Sequence, residues 1–282
     1  MSRDDAIEIV RVGSGRPELW IVAGVHGDEV EGIACVEDAL ALVRPSHGTL
    51  VGVPVAHPAA LAAGTRLGPD GVDLNRTYPG RPGGGPTERV AHALWHELSA
   101  GADALLTLHS WSRGGCTVPY VEYARGDDRG RELAVSLGLP FAEPWDWPQG
   151  LLPKVAAAAG IAAVELELGG LGRHTSENLE LGVQAIRAAA GRLRLGPAAD
   201  VQRTRTVRRH SLTAGTSGRV RQLRQLGEGL AAGDAVCQVR NRRGGVTETL
   251  TTPVAGWIAV HASYGDVEPG AEAAIVFEEA PD

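Results

Sequence analysis

The sequence predicts an α/β fold, a mixed and mostly parallel sheet flanked by helices, followed by a smaller C-terminal all-β, barrel-like domain. Three observations lead there. Short apolar runs alternate with segments of helical period over roughly the first two-thirds of the chain. Several of those runs end in glycine-containing turns that carry histidine or glutamate, the placement expected of ligand-binding groups at the carboxyl edge of an open sheet. Past Pro197 the texture changes to short β-branched runs with glycine turns and no helical period, so residues 1–197 and 198–282 are expected to be separate domains.

Taken in order, residues 7–12 alternate and residues 19–23 are wholly apolar, with turn chemistry from Gly13 to Pro17 between them. From residue 31 to 43 the apolar positions Ile33, Val36, Ala39, Leu40 and Val43 recur at helical spacing until Arg44-Pro45 ends the pattern. Residues 50–55 read as a strand. Residues 57–85 are rich in glycine, proline and polar groups, and a loop of that length in a compact domain points to function. Then follow a helix over 87–98, a buried strand over 104–108, helices over 129–137 and 151–159, a strand over 161–168 stopped by Gly169-Gly170, and a last helix over 178–193.

The chain of 282 residues is 43% hydrophobic, ample for a core, and its net charge of -7 argues against a nucleic-acid partner. Cys35, Cys116 and Cys237 are odd in number, far apart and without a CxxC pair, which indicates reduced thiols rather than a disulfide framework or a cysteine metal site. No leader pattern opens the chain and no apolar run approaches the length of a span, so the expectation is a cytoplasmic protein without a membrane partner. Ten arginines between Arg203 and Arg243 face only Glu228 and Asp234 in that stretch, a pattern of a solvated positive face, a homo-oligomer contact or an anion-steering surface.

The chemistry gathers around LWIVAGVHGDEVEG, residues 19–32. His26 and Glu29 stand in the turn after one strand, His109 ends another, and Glu167 lies near the end of a third. Two imidazoles and a carboxylate leave one of four positions around zinc open, the arrangement of hydrolytic rather than structural sites. Glu165 and Glu167 share a strand face at i and i+2, so either is a candidate base. His92 and His96 repeat the i, i+4 spacing of a zinc helix, but Ala93 stands where the base would be. His57, before Pro58, is a candidate for the pocket lining, and Trp145 and Trp147 for a pocket wall or plain loop packing.

GVHGDE, DLNRTYPG, TLHS and ELGG, in this order, resemble the succinylglutamate desuccinylase/aspartoacylase family, itself similar to zinc carboxypeptidases. The resemblance spans about residues 19–195. It implies one Zn2+ per chain held by His26, Glu29 and His109, a substrate carboxylate clamped by Asn75 and Arg76, a carbonyl-polarising Arg66, and Glu167 as the base before the glycine pair. Guanidinium forks match carboxylates in a way lysine cannot copy, in keeping with that clamp. Arg66 sits two residues farther from DLNR than in the family. The family arginine for a second substrate carboxylate is missing from PKVAAAAGIAAV, where Lys154, the sole lysine of the chain, is the only cation. The implied activity is hydrolysis of the N-acyl amide of a small carboxylate-bearing molecule, with carboxypeptidase action or non-catalytic anion binding as rivals. The C-terminal segment has the rhythm of a biotinyl/lipoyl-like barrel. Without a lysine it cannot carry a prosthetic group, so it is expected to serve as a lid, an assembly surface or the donor of one pocket residue, with Tyr264 the candidate.

Overall fold

The most apolar runs of the chain become its central strands in the computed structural model, which describes residues 7–280. In chain order the first part contains β1 (Val10–Ser14), β2 (Glu18–Val22), α1 (Glu31–Leu42), β3 (Gly48–Val53), α2 (Pro58–Ala63), a short 3-10 turn (Leu74–Arg76), α3 (Pro86–Ser99) and β4 (Ala104–His109). It continues with β5 (Cys116–Thr117), β6 (Tyr120–Ala124), α4 (Asp128–Val135), β7 (Phe141–Trp145), α5 (Leu152–Ala158), β8 (Ala162–Glu167) and α6 (Ser176–Arg192). The remainder is β9 (Arg205–Thr213), β10 (Gly218–Gln222), β11 (Gly229–Leu230), β12 (Ala235–Arg240), β13 (Val246–Thr251), β14 (Gly256–His261), β15 (Asp266–Val267) and β16 (Glu272–Glu279).

One large sheet runs in the order β1-β3-β2-β4-β8-β6-β7-β9-β16-β14-β11, with β5 paired to β14. β2, β3, β4 and β8 are parallel to one another, and β6 runs antiparallel to β8. Helices cover both faces. Alternate residues of β2 show why: Leu19 and Ile21 pack with α1, α4 and α6, whereas Trp20 and Val22 pack with α3 and α5. The expected α/β class and mixed sheet are therefore present.

Two features depart from the sequence reading. β6 and β7 were not foreseen, because Glu122 and Glu143 interrupt their apolar pattern and Pro144 lies within β7. The C-terminal strands do not stand apart as a closed barrel among the described residues. β9 joins the large sheet by parallel pairing with β7, and β16, β14 and β11 extend it, while β13-β12-β10-β15 form a separate antiparallel sheet of four. The cluster of Leu212, Val236, Ile258 and Val276 fills the space between them.

Candidate active site

β2, β4 and β8 point the same way, so their carboxyl ends share one edge. His26 and Glu29 lie in the turn after β2, His109 is the last residue of β4, and Glu167 is the last of β8, directly opposite His109. Close approach of α1 to β4 brings the first pair to the third residue. Gly32 permits it, since a Cβ there would sit 2.6 Å from the Leu108 carbonyl oxygen.

The three residues converge. His26 Nδ1 is 2.7 Å from Glu29 Oε1, and His109 Nδ1 is 2.9 Å from Glu29 Oε2, with all three side chains buried. Their candidate ligand atoms lie within 4.8 Å of one another. Behind each ring stands a second carboxylate: Asp73 Oδ1 is 3.1 Å from His26 Nε2, and Glu165 Oε2 is 3.4 Å from His109 Nε2. Each imidazole thus has a carboxylate at both nitrogens, an arrangement that calls for positive charge beyond neutral rings. A divalent cation held by His26, Glu29 and His109 would answer that demand, with Asp73 hydrogen-bonded to the far nitrogen of His26 and Glu165 close to that of His109. The donor set fits such an ion.

The electrostatics follow the same logic. Burial alone would raise the Glu29 carboxyl, but the His26 charge and the contacts with His109 hold it well below the usual carboxylate range. Burial alone would lower His109, yet the Glu165 charge and the Glu29 contacts carry it up to about 10. Glu167 goes the other way: burial, together with the Glu29 charge, pushes it well up despite His109. Its Oε2 is buried without a hydrogen-bond partner among the described residues, facing the cleft.

The DLNR loop forms the opposite wall. Asp73 accepts the Asn75 backbone N–H at 2.9 Å and two N–H groups of Arg66 at 3.1 and 3.2 Å, while Arg66 also reaches Glu29 at 3.4 Å. Asn75 donates to Glu165 at 3.3 Å and accepts from the Leu152 N–H at 3.4 Å, leaving its second amide N–H for other partners. Arg76 is exposed at the cleft, its guanidinium bonded to the Asn75 carbonyl and to no carboxylate among the described residues. Every residue singled out from the sequence for this site, His26, Glu29, Arg66, Asn75, Arg76, His109 and Glu167, lines one cleft of about 400 Å³.

The family model described as Succinylglutamate desuccinylase/Aspartoacylase catalytic domain matches residues 16–191. The chain belongs to the succinylglutamate desuccinylase/aspartoacylase family. Among relatives of this family, the N-alpha-acetyl-L-2,4-diaminobutyric acid deacetylase of Halomonas elongata is 32% identical over 185 residues, which are 62% of this chain and 54% of that protein. The chain spans about half the length of that curated relative. Two solved structures share the desuccinylase/aspartoacylase fold. The succinylglutamate desuccinylase/aspartoacylase of Rhodobacter sphaeroides superposes with a TM-score of 0.87 at 24% identity, covering 97% of this chain and 90% of that one. The product-bound ectoine utilization protein EutE (DoeB) of Ruegeria pomeroyi gives 0.88 at 24% identity, over 98% and 92%.

Of the other candidates, His92, His96, His57 and Tyr264 fall outside this cleft and Trp145 and Trp147 line it. His92 and His96 share the partly exposed face of α3, and His57 is buried at the start of α2 away from the cleft. Tyr264 pairs with His261 at 2.7 Å and does not line the cleft; the C-terminal residue that does is Arg209 of β9. Trp145 and Trp147 both form cleft wall. Arg209, Glu122 and the ring-orienting role open to Asp73 were missed, since only strand register brings the first two to the cleft and no local motif marks them.

Proposed function

We propose that this protein is a zinc-dependent hydrolase that cleaves the N-acyl amide of a small amino-acid-like substrate bearing a carboxylate. The observation that carries the reading is the buried His26–Glu29–His109 cluster set opposite an unpartnered Glu167 in one cleft. The family and the deacetylase relative support it.

A zinc ion held by these three residues would act as a Lewis acid on the acyl carbonyl. The chain's own groups supply the rest. Arg76, with the free N–H of Asn75, receives the substrate carboxylate and fixes the amide in the cleft. Glu167 Oε2 accepts a proton from the attacking water, whose oxygen bonds to the acyl carbon, and returns it to the amine nitrogen as the C–N bond breaks. The second water proton also passes to the amine, so the products are a carboxylate and an ammonium group. Arg66, held by Asp73, points positive charge at the oxygen on which negative charge builds. Trp111 and Trp147 line the cleft and would keep water from the bound amide.

Purified protein assayed for zinc content and for amine release from N-acetyl and N-succinyl amino acids tests this. About one zinc per chain with amide hydrolysis is the expected result. Zinc without hydrolysis of any acyl amino acid, or release of C-terminal residues from peptides instead, overturns the deacylase reading.

A further inference from the structure

Three carboxylates stand in one row on the sheet face below the cleft. Glu165 of β8 is directly opposite Glu122 of β6, and Glu122 is beside Glu143 of β7. Like charges across neighbouring strands repel, so each needs an answer. Glu165 has one: it accepts from Asn75 and Thr107, both at 3.3 Å, and faces His109. Glu143 has another, since Arg209 approaches both its oxygens at 2.7 to 3.2 Å.

Glu122 is left with a share. It takes one Arg209 nitrogen at 2.9 Å, the Tyr120 hydroxyl at 3.2 Å and the Trp147 indole N–H at 3.3 Å. Its side chain is 8% exposed, so the divided charge of one guanidinium must serve two buried carboxylates. Burial raises the Glu122 carboxyl, Arg209 opposes that, and Glu143 and Glu165 add to it, leaving it up at about 7. This corner of the cleft is short of positive charge.

Its walls suit a cation on an apolar stem. Trp111, Trp145, Trp147, Pro148 and Leu151 line the same cleft, and indole faces attract cations. Arg209 already stacks on Trp145, 4.5 Å from its ring centre. Arg209 Nε and one terminal nitrogen are already held by Glu143, Glu122 and Tyr120, so most of its charge is answered within the row. Glu122 lies two strands from β4 and lines the same cleft as His109.

We propose that the Glu122 corner binds the side-chain amine of an Nα-acyl diamino acid and makes Glu122 the specificity-determining residue, an inference that rests on the deacylase reading of the same cleft. The substrate ammonium donates to Glu122 while its methylenes lie along Trp147. An acidic side chain of equal length is repelled by the same row.

The test uses three probes of matched shape: the Nα-acetyl derivatives of 2,4-diaminobutyrate, norvaline and glutamate. Their binding to zinc-loaded Glu167→Gln protein is measured by calorimetry, and kcat/KM with the wild type. The diaminobutyrate derivative is expected to bind about tenfold tighter than the norvaline one, with the glutamate derivative weakest. In a Glu122→Gln background the cation-to-neutral ratio falls about tenfold. A ratio near one, a preference for the acidic probe, or a ratio unchanged by Glu122→Gln overturns the proposal. Should Glu122→Gln fail to fold, Glu122→Asp, which withdraws the carboxylate by one methylene, is expected to lower the ratio, and the ratio in the Glu167→Gln protein alone still decides. If no probe is hydrolysed by wild type yet the cationic one binds tightest, the deacylase reading falls and the amine subsite stands.

Discussion

His109 Nδ1 lies 2.9 Å from Glu29 Oε2 across eighty residues of chain, and the same ring turns its Nε2 towards Glu165. A ring held between two carboxylates has its orientation set before any ligand arrives. The cost of burying Glu29, Glu165 and His109 together is offset in part by their mutual charges, and a cation held there would offset more of it.

Replacing His109 by Ala removes one of three ligands and leaves Glu29 facing an empty space. Zinc measured by mass spectrometry should fall from about one per chain to near zero. Chelation of the wild-type protein should lower its Tm by several degrees, because an ion at about 1,000 times its Kd contributes about 4 kcal/mol. Retained stoichiometric zinc in the variant would remove His109 from the ligand set.

Glu165 and Glu167 are separated by their contacts. Glu167→Gln should reduce kcat by about 100-fold or more while zinc stays bound, as loss of a general base does. Glu165→Gln is expected to weaken zinc binding, by about 10- to 100-fold, by removing the charge that faces the far nitrogen of His109. The reverse pattern, with zinc loss on changing Glu167, would exchange the two roles.

Arg76 holds its place through its own backbone. Gly150 has φ +79°, and a Cβ there would lie 2.1 Å from the Arg76 carbonyl oxygen. Gly150→Ala should therefore displace the Arg76 segment and raise KM for carboxylate substrates, as Arg76→Lys should by about tenfold or more through loss of the planar fork. Steady-state kinetics on paired carboxylate and amide-capped substrates checks this, because the capped substrate should be nearly insensitive to Arg76→Lys.

Arg209 is the counterion of a buried row. Its side chain is 14% exposed, and Arg209→Met should cost about 3–5 kcal/mol in denaturant unfolding by leaving Glu122 and Glu143 unanswered. The sign with pH follows from Glu122, whose carboxyl is raised in the fold from 4.5 to about 7. A raised acid stabilises the native state fully below the unfolded value and loses that contribution as pH rises through the folded one. Wild-type stability should fall between pH 4.5 and about 7, Glu122→Gln should flatten that fall, and Arg209→Met should steepen it. A flat profile in all three proteins would contradict the assignment.

Much of this was readable along the chain. β2, α1, β4, β8 and α6 followed from apolar period because each buries a continuous face, and His26, Glu29, His109 and Glu167 stood out because each closes a strand or its turn. Glu122 and Arg209 did not stand out, and neither did the contact of Asp73 with His26. Asp73 reaches His26 only because the DLNR loop folds back over the turn after β2. Glu122 and Arg209 lie on strands that look irregular in sequence, since buried charges break the alternation that marks a strand.

The sequence by itself determined the layer order and the identity of the groups on the carboxyl edge of the sheet, because hydrophobic period and turn chemistry are local. Only the tertiary structure decided which charges face one another. Strand register sets that, and a shift of one residue would turn Glu122, Glu143 and Glu165 to the opposite face of the sheet. It also decided that β9 would pair with β7, which is how an arginine from the last third of the chain comes to lie in a cleft built by the first two.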